Sequence, residues 1–425
     1  MAREINLNHI CKIEGHAHLH LQIENNKVKQ CELKAAEGAR FFEALVIDKH
    51  IEDVQEIVSR ICGICSSAHS VASVQGIEEA LGTKPSRQQK FIREMLIIGE
   101  RIRSHTTHLY FMSLPDYFNA SSVLSLGPEH KSKIDDALKI ISLGNKIVEN
   151  FGGREMHPFL KINEELPHPD FSEVLEKLKN SKKTIIRTIN LFSNLKYPQL
   201  NRKANYLALK KNDCYATISG RIASDTNNFI DDDYKRYLKE SIKEYSTSKF
   251  VSEGDNPYML GAMARININH GQLDSETKGV LTRTLNKMDL KLPLDNPYHN
   301  LICQAVEILE SINRAIKLIE DAPRKDKIEK IKFRAGHGVS AVEAPRGTLF
   351  HEYKIDKSGI VTYCNIITPT AQNLSMMEAD IRLVVDRLLA KNTSRRDIVD
   401  KIEKLIRAYD PCFSCSTHFL KVSWL

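Results

Sequence analysis

Two short cysteine motifs carry the chemistry that this sequence can do. Cys62 and Cys65 form one CxxC pair, and Cys412 and Cys415 form another near the opposite end of the chain. A CxxC places two thiolates within reach of one metal. Two such pairs make an all-sulfur, four-ligand site, which suits zinc, iron or an iron–sulfur cluster. Structural zinc is the generic reading, and three features weigh against it. Zinc ribbons close much shorter loops than the stretch between these pairs. A chain with 42% hydrophobic residues needs no metal staple. The flanks are polar and particular: Arg60-Ile-Cys-Gly-Ile-Cys-Ser-Ser-Ala-His69 and Asp410-Pro-Cys-Phe-Ser-Cys-Ser-Thr-His418. A metal site joining the two chain ends through such neighbours reads as a reaction centre with its ligands held by further hydrogen-bonding groups. The remaining cysteines (Cys11, Cys31, Cys214, Cys303 and Cys364) are scattered, and the total of nine is odd, so a complete disulfide framework is excluded.

The elements that must position these thiolates belong to an ordinary globular chain. Its 425 residues exceed the size at which a single core stops growing, so one large domain with lobes, or two domains, is expected. The net charge of +7 is spread over interspersed charges. That gives no basic stripe and argues against a nucleic-acid partner. No apolar run approaches the ~20 residues of a membrane span, and the N-terminus lacks a signal peptide, so a cytoplasmic location is expected. No GxGxxG or Walker pattern indicates nucleotide binding. Alternation of His16, His18 and His20 with Ala17, Leu19 and Leu21 predicts a half-buried strand that turns at Asn25-Asn26, a β-hairpin over 16–36. The three histidines share a face, but a solvent face is the simpler account than a metal site. Helices are predicted at 50–61, 67–81, 86–114 (capped by Ser86, stopped by Pro115), 131–150, 170–195, 232–245, 275–288, 299–320, 374–391 and 394–408. Strands are predicted near 205–210, 331–334, 348–355 and 359–367. The fold class is α+β, mainly α: a long-helix core with small peripheral β elements and the two CxxC pairs meeting at a buried site.

The two motifs, RxCGxCxxxH at Arg60–His69 and DPCxxCxxH at Asp410–His418, resemble the signatures of the large subunit of NiFe hydrogenases. Further matching segments run in order along nearly the whole chain: Ile13-Glu-Gly-His16, Glu37-Gly-Ala-Arg-Phe-Phe-Glu43, Ser104-His105 through Pro115-Asp116-Tyr117, Gly152-Gly-Arg-Glu-Met-His157-Pro158, Glu343-Ala-Pro-Arg-Gly347 and Ile366-Ile-Thr-Pro-Thr370. Among subclasses the chain is most similar to the α subunit of cytoplasmic NAD(P)-linked hydrogenases, or sulfhydrogenases. The resemblance implies one catalytic domain over 1–418. Within it lie a hairpin and helix lobe (1–60), a helical core (61–195), a helical middle region (196–330) and β elements with C-terminal helices (331–418). A tail, 419–425, follows.

The resemblance also implies roles. Cys62 and Cys412 would be terminal thiolates on nickel, and Cys65 and Cys415 would bridge nickel to an iron that carries carbon monoxide and cyanide. Arg346, between Pro345 and Gly347, would overhang the open site. Its guanidinium is almost never neutral, which favours an electrostatic role over that of a base. Thr370 would donate to a cyanide, and His69 would hydrogen-bond a bridging sulfur. Glu14 would pass protons outward from a terminal cysteine. Asp116 and Asp410 would surround the arginine. Glu43, the carbonyl of Ile366 and His418 would hold a magnesium-type ion, or iron. His105, His108 and His157 are expected to pack or to join a proton network. Lys12 stands where many relatives have Arg.

The implied reaction is reversible cleavage of H2 to protons and electrons. The paired cysteines are used by the Ni–Fe site, so electrons would need a small subunit with iron–sulfur clusters. A flavin and NAD(P)-binding partner and a further iron–sulfur subunit are expected beyond it. Nickel and iron insertion proteins would fill the site, and an endopeptidase would remove Phe419–Leu425 with Trp424, the chain's single Trp. The competing readings are a scaffold stabilised by zinc on the four cysteines and a hydrogen-sensing paralogue. The related quinone-reducing subunit of respiratory complex I is rejected, because that group has lost the paired cysteines.

Overall fold

The computed structural model describes residues 3–38, 41–162, 171–323 and 331–417. The chain opens with an antiparallel sheet of β1 (Arg3–Leu7), β2 (Ala17–Glu24) and β3 (Lys27–Ala35), in the order β1-β2-β3. Ala17, Leu19, Leu21 and Ile23 are buried, as the alternation requires. Asn25 and Asn26 both take positive φ, the two-residue turn that fits the twist of a hairpin. His20 is bonded to Asn6 and His16 to Glu37.

Next come α1 (Phe42–Leu45), α2 (Ile51–Ser59), α3 (Ser66–Leu81) and α4 (Arg87–Thr107). Ser86 and Gln89 form a reciprocal capping box at the start of α4. The chain does not stop at Pro115. It passes through a π-helical turn, His108–Ser113, into α5 (Leu114–Tyr117). Pro115 follows on the π-helical turn, at the start of α5. Then follow α6 (Lys131–Gly152) and α7 (Ser172–Ser193). With α11 (Asn300–Glu320), helices α4, α6 and α7 form the bundle at the centre of the molecule. Gly99 and Gly144 let α4 and α6 cross with their backbones almost touching.

The middle region carries more strand than expected. β4 (Asn205–Lys210), β5 (Arg221–Ser224), β6 (Asn228–Phe229) and β9 (Tyr258–Met259) form a sheet ordered β6-β5-β4-β9. The helix expected over 232–245 is a single turn, α8 (Tyr234–Tyr237), followed by β7 (Leu238–Ile242) paired with β8 (Lys249–Glu253). Ladder bonds to the mostly buried β8 override local helix propensity there. α9 (Ala262–Asn269) and α10 (Ser275–Lys287) precede α11.

The C-terminal part holds the antiparallel sheet β10 (Gly336–Ala344), β11 (Gly347–Ile355) and β12 (Val361–Ile367). The strand expected at 331–334 starts instead at Gly336. Gly336 and Gly338 pass against the backbone at the end of α3, where a Cβ would collide with Ala80. Finally α12 (Pro369–Ala390), α13 (Arg395–Ala408) and α14 (Phe413–Ser416) return the chain to the core. Among the described residues, no helix is long and apolar enough to cross a membrane.

Candidate metal centre

The first cysteine pair sits at the junction of α2 and α3, with Cys65 immediately before the first residue of α3. The second sits between α13 and the short α14. The N-terminal segment joins them: Glu14 bridges to Cys412 as an isolated pair of extended residues, and the Phe413 amide donates to the Glu14 carbonyl at 2.9 Å. Gly15 makes this approach possible. Its φ is +78°, and a Cβ there would stand 2.9 Å from the Ser414 nitrogen.

The four Sγ atoms lie within 4.8 Å of one another, and all four residues are buried. Cys62 Sγ is 3.6 Å from Cys412 Sγ. Hydrogen bonds from the thiols of Cys412, Cys415 and Cys65 hold the Cys62 thiol well below its usual range. Burial, reinforced by the neighbouring sulfurs, pushes Cys412 and Cys415 well above theirs. Four ionised sulfurs cannot coexist here without a compensating cation. The cage is thus a soft, all-sulfur donor set with one proton-poor member, and it fits nickel with iron.

Among the described residues, the Arg346 cation faces the cage. Arg346 stands at the tip of the β10–β11 hairpin, and its Nη1 donates to Cys65 Sγ at 3.1 Å. Its Nε donates to the Asp410 carbonyl at 2.7 Å and to Asp410 Oδ1 at 3.1 Å, and Nη2 lies 3.0 Å from the same carboxylate oxygen. Burial opposes the charge on Arg346, but Asp410 and the sulfurs outweigh it and hold the guanidinium firmly protonated. Behind Asp410 a chain runs through Gln304, which spacing did not single out, to His108. Gln304 Nε2 donates to Asp410 Oδ2 at 3.0 Å, and His108 Nδ1 lies 2.6 Å from Gln304 Oε1.

Glu14 meets the cage from the other side. Cys412 Sγ lies 2.8 Å from Glu14 Oε2, and the Ser414 hydroxyl donates to Glu14 Oε1. Thr370, in the first turn of α12, accepts the Cys412 amide at 2.9 Å, which leaves its own hydroxyl proton for another acceptor. His69 lies one turn into α3, and its Nδ1 is 3.0 Å from His351 Nε2, whose ring in turn meets the Tyr353 hydroxyl at 2.7 Å. His157 is tied to the Ser59 carbonyl and the Ser66 hydroxyl beside the first pair. Glu100, missed in the sequence, accepts the amides of Ser67 and Ala68 at the start of α3, and burial pushes its carboxyl up to about 7.

Asp116 is bonded to two other cations. Its carboxylate bridges Lys12 and Arg407, with Arg407 Nη1 at 2.6 Å. Lys12 thus has a partner of its own.

The residues for a second ion come together only in part. Glu43 Oε1 accepts the Ile366 amide at 2.8 Å, but it also takes the Lys249 ammonium at 2.7 Å. Lys249 is shared with Glu240 at 2.9 Å. The described residues therefore place an ammonium at this carboxylate. His418 and the tail lie outside the described residues.

Comparisons with known proteins agree with this geometry. The family model for nickel-dependent hydrogenase matches residues 40–151 and 212–418. The sulfhydrogenase 1 α subunit of Pyrococcus furiosus is 36% identical, over 98% of each chain. The sulfhydrogenase 2 α subunit of the same organism is 33% identical, over 98% of this chain and 100% of its own. A solved NAD+-reducing NiFe hydrogenase in the H2-reduced state superposes with a TM-score of 0.87 at 22% identity, covering 98% and 99% of the two chains. The Ni-Fe-Se hydrogenase of D. vulgaris Hildenborough gives 0.78 at 20% identity, with 98% and 100% covered. These last two likenesses bear on the fold, while the family match and the identities bear on descent. The chain belongs to the nickel-dependent hydrogenase family, as an oxidoreductase acting on H2.

Proposed function

We propose that this chain cleaves H2 reversibly to two protons and two electrons at a nickel–iron centre held by Cys62, Cys65, Cys412 and Cys415, and that it exchanges the electrons with NAD(P) through partner subunits. The observation that carries the reading is the buried four-sulfur cage faced by the Arg346 guanidinium. When bound, a nickel–iron pair carrying carbonyl and cyanide ligands supplies the redox range and Lewis acidity for splitting H2.

The protein's part is geometry, charge and proton movement. Cys62 and Cys412 would hold nickel as terminal thiolates, and Cys65 and Cys415 would hold nickel and iron together. Arg346 stays a cation and stabilises negative charge over the cage. Thr370 has a free hydroxyl proton to offer a cyanide. Glu14 takes the proton from the Cys412 side and passes it outward. It is half-buried, within hydrogen-bond reach of the sulfur and open toward the exterior. Glu14→Gln keeps the shape and removes the relay. It should retain nickel while lowering turnover by about 10²–10⁴-fold, read by H2 oxidation on metal-counted enzyme. His69 orients a bridging sulfur. The carboxylate of Glu43, paired with Lys249, supports no step here.

Electron partners follow from the absence of spare paired cysteines. A small iron–sulfur subunit takes the electrons, and flavin and iron–sulfur subunits carry them to NAD(P). The relatives' names and the NAD+-reducing structural neighbour support this assignment. Removal of Phe419–Leu425 would complete maturation, and an intact mass of active enzyme that retains all seven residues sinks that step.

The deciding experiment is nickel, iron and zinc content of the native complex with an infrared spectrum of the same sample. Nickel and iron with metal-bound carbonyl and cyanide bands are expected. Zinc near one per chain without those bands, in protein from a host that matures such enzymes, overturns the reading.

A further inference from the structure

We infer that Arg265 is a positioning residue for Arg346: it acts on the reaction by locking the Pro345-Arg346 turn and touches no reacting atom. The inference rests on the role of Arg346 proposed above.

Arg346 projects from a two-residue hairpin turn between Ala344 and Gly347. A tip of this kind is the part of a hairpin with the fewest ladder bonds of its own. Here two successive carbonyls leading into it are taken by one buried side chain on α9. Arg265 Nη1 donates to the Ala344 carbonyl at 3.0 Å, and Nη2 donates to the Pro345 carbonyl at 2.8 Å. The other donors of the same guanidinium go to carboxylates. Nε and Nη2 form a fork onto Glu307 Oε1 and Oε2 at 2.6 and 2.7 Å, and Nη1 reaches Glu343 Oε2 at 2.9 Å. Five N–H donors thus meet five acceptors, a set that only a guanidinium can fill.

The anchor itself cannot drift. Arg265 and Glu307 are fully buried. Glu307 is also held by the Tyr215 hydroxyl and by His105 Nε2 at 2.8 Å. Arg101 Nη2 donates to the Glu343 carbonyl at 3.1 Å, just before the turn. The turn packs directly on the segment that leads into α9: a Cβ at Gly347, where φ is +134°, would stand 2.5 Å from Leu260 Cβ. Arg346 is therefore held at both ends. Asp410 fixes its guanidinium, and Arg265 fixes the backbone from which it springs. A network serving the core alone has no need to spend two donors on the carbonyls of this one turn.

The test is a double-substitution cycle of R265K and R346K in the complete enzyme complex. It reads H2-oxidation kcat and KM, nickel and iron content, and amide exchange of the peptide spanning 343–348. A lysine supplies three donors and cannot span the turn and both carboxylates. R265K should keep both metals and lower kcat by about 10–100-fold, the loss typical of a small misplacement, with KM for H2 unchanged. In the R346K background the same change should alter kcat by less than about twofold, because coupled residues are not additive. The amides of Arg346 and Gly347 should exchange roughly tenfold faster, with the strand amides unaffected. An equal loss in both backgrounds, or unaltered exchange at the turn, overturns the positioning role. A kcat unaffected by R346K alone would instead remove the proposed role of Arg346 itself, so the two failures are distinct. If R265K does not load metal, E307Q repeats the cycle by loosening the fork while preserving its shape. Failure of both variants to load metal would make the network a folding element and overturn the inference.

Discussion

Two buried polar clusters lie side by side in this molecule and follow opposite electrostatic plans. In the first, Arg265 and Arg101 face Glu307 and Glu343, two cations with two anions. Burial opposes the charge on Glu307, but Arg265 overrides it and holds the carboxyl well below its usual range. Burial pushes His105 down to about 4, so the ring is neutral near pH 7 and donates its Nε2–H to Glu307. In the second cluster, four sulfurs face one guanidinium that Asp410 already pairs. The first cluster is complete as protein. In the second, Asp410 already cancels the charge of Arg346, so ionising the sulfurs needs further positive charge, which a metal centre supplies.

The sharpest way to break the contrast is to change the donor set of the unbalanced cluster. Cys412→Ser replaces a soft thiolate with a hard hydroxyl at nearly the same volume. Nickel content and H2 activity should vanish together, a larger effect than the roughly 10–100-fold that follows loss of a group behind a ligand. Metal analysis and turnover on the same preparation check this, and activity above about a tenth of the parent's would count against the cage as the nickel site.

The balanced cluster should answer the opposite question. Glu307→Ala leaves Arg265 with a buried, half-paired charge. A loss of about 3–5 kcal/mol is expected from removing one partner of such a pair. Urea unfolding of the purified chain measures it. A change under about 1 kcal/mol would mean that water or a shifted side chain replaces the carboxylate.

The same contrast explains what the sequence makes legible. The cage and its immediate attendants, Glu14, Arg346, Thr370 and Asp410, stand in short motifs with fixed spacing, because ligands and their neighbours must share turns and helix ends. The balancing network has no such signature. Gln304, Glu307 and Glu310 lie on α11, where nearly every position is buried. A 3.6-residue period cannot then separate an inward polar face from a solvated one. Arg265 and Lys249 sit alone on α9 and β8, and their partners come from distant segments. The hairpin of β2 and β3 and the long helices were readable because half-buried elements alternate apolar and polar residues. The pairing of β7 with β8 was not, because a ladder partner is a tertiary fact. The motif that carries Asp116 did not name its bonding partners, Lys12 and Arg407, which come from distant segments.

Glu310 provides a graded test within the same helix. Burial pushes its carboxyl up to about 7, partly offset by the Asp274 amide that it accepts at 2.9 Å. A carboxyl with a raised folded-state pKa stabilises the fold fully below its unfolded value of about 4.5, and the contribution is lost as pH rises through about 7. Glu310→Gln imitates the protonated form. It should leave stability near pH 4 almost unchanged and raise it at pH 8 by about 1–3 kcal/mol. Melting curves at the two pH values decide it, and equal shifts at both would refute the assignment.

The smallest effect is expected where charge is balanced but wet. Arg187 on α7 forks onto Asp136 on α6, with both bonds at 2.8 Å. By distance this pair matches the Arg265–Glu307 fork, so distance alone would assign it equal worth. The difference lies in solvent: the Arg187 side chain is 59% exposed and that of Asp136 16%, against none for the buried pair. Water solvates Arg187 almost as well as the carboxylate does, and salt screens what remains. Asp136→Asn should cost about 0.2–1 kcal/mol at low salt and less in 1 M salt, measured by urea unfolding beside Glu307→Ala. A cost approaching that of Glu307→Ala would mean that geometry, rather than exclusion of water, sets the strength of both pairs.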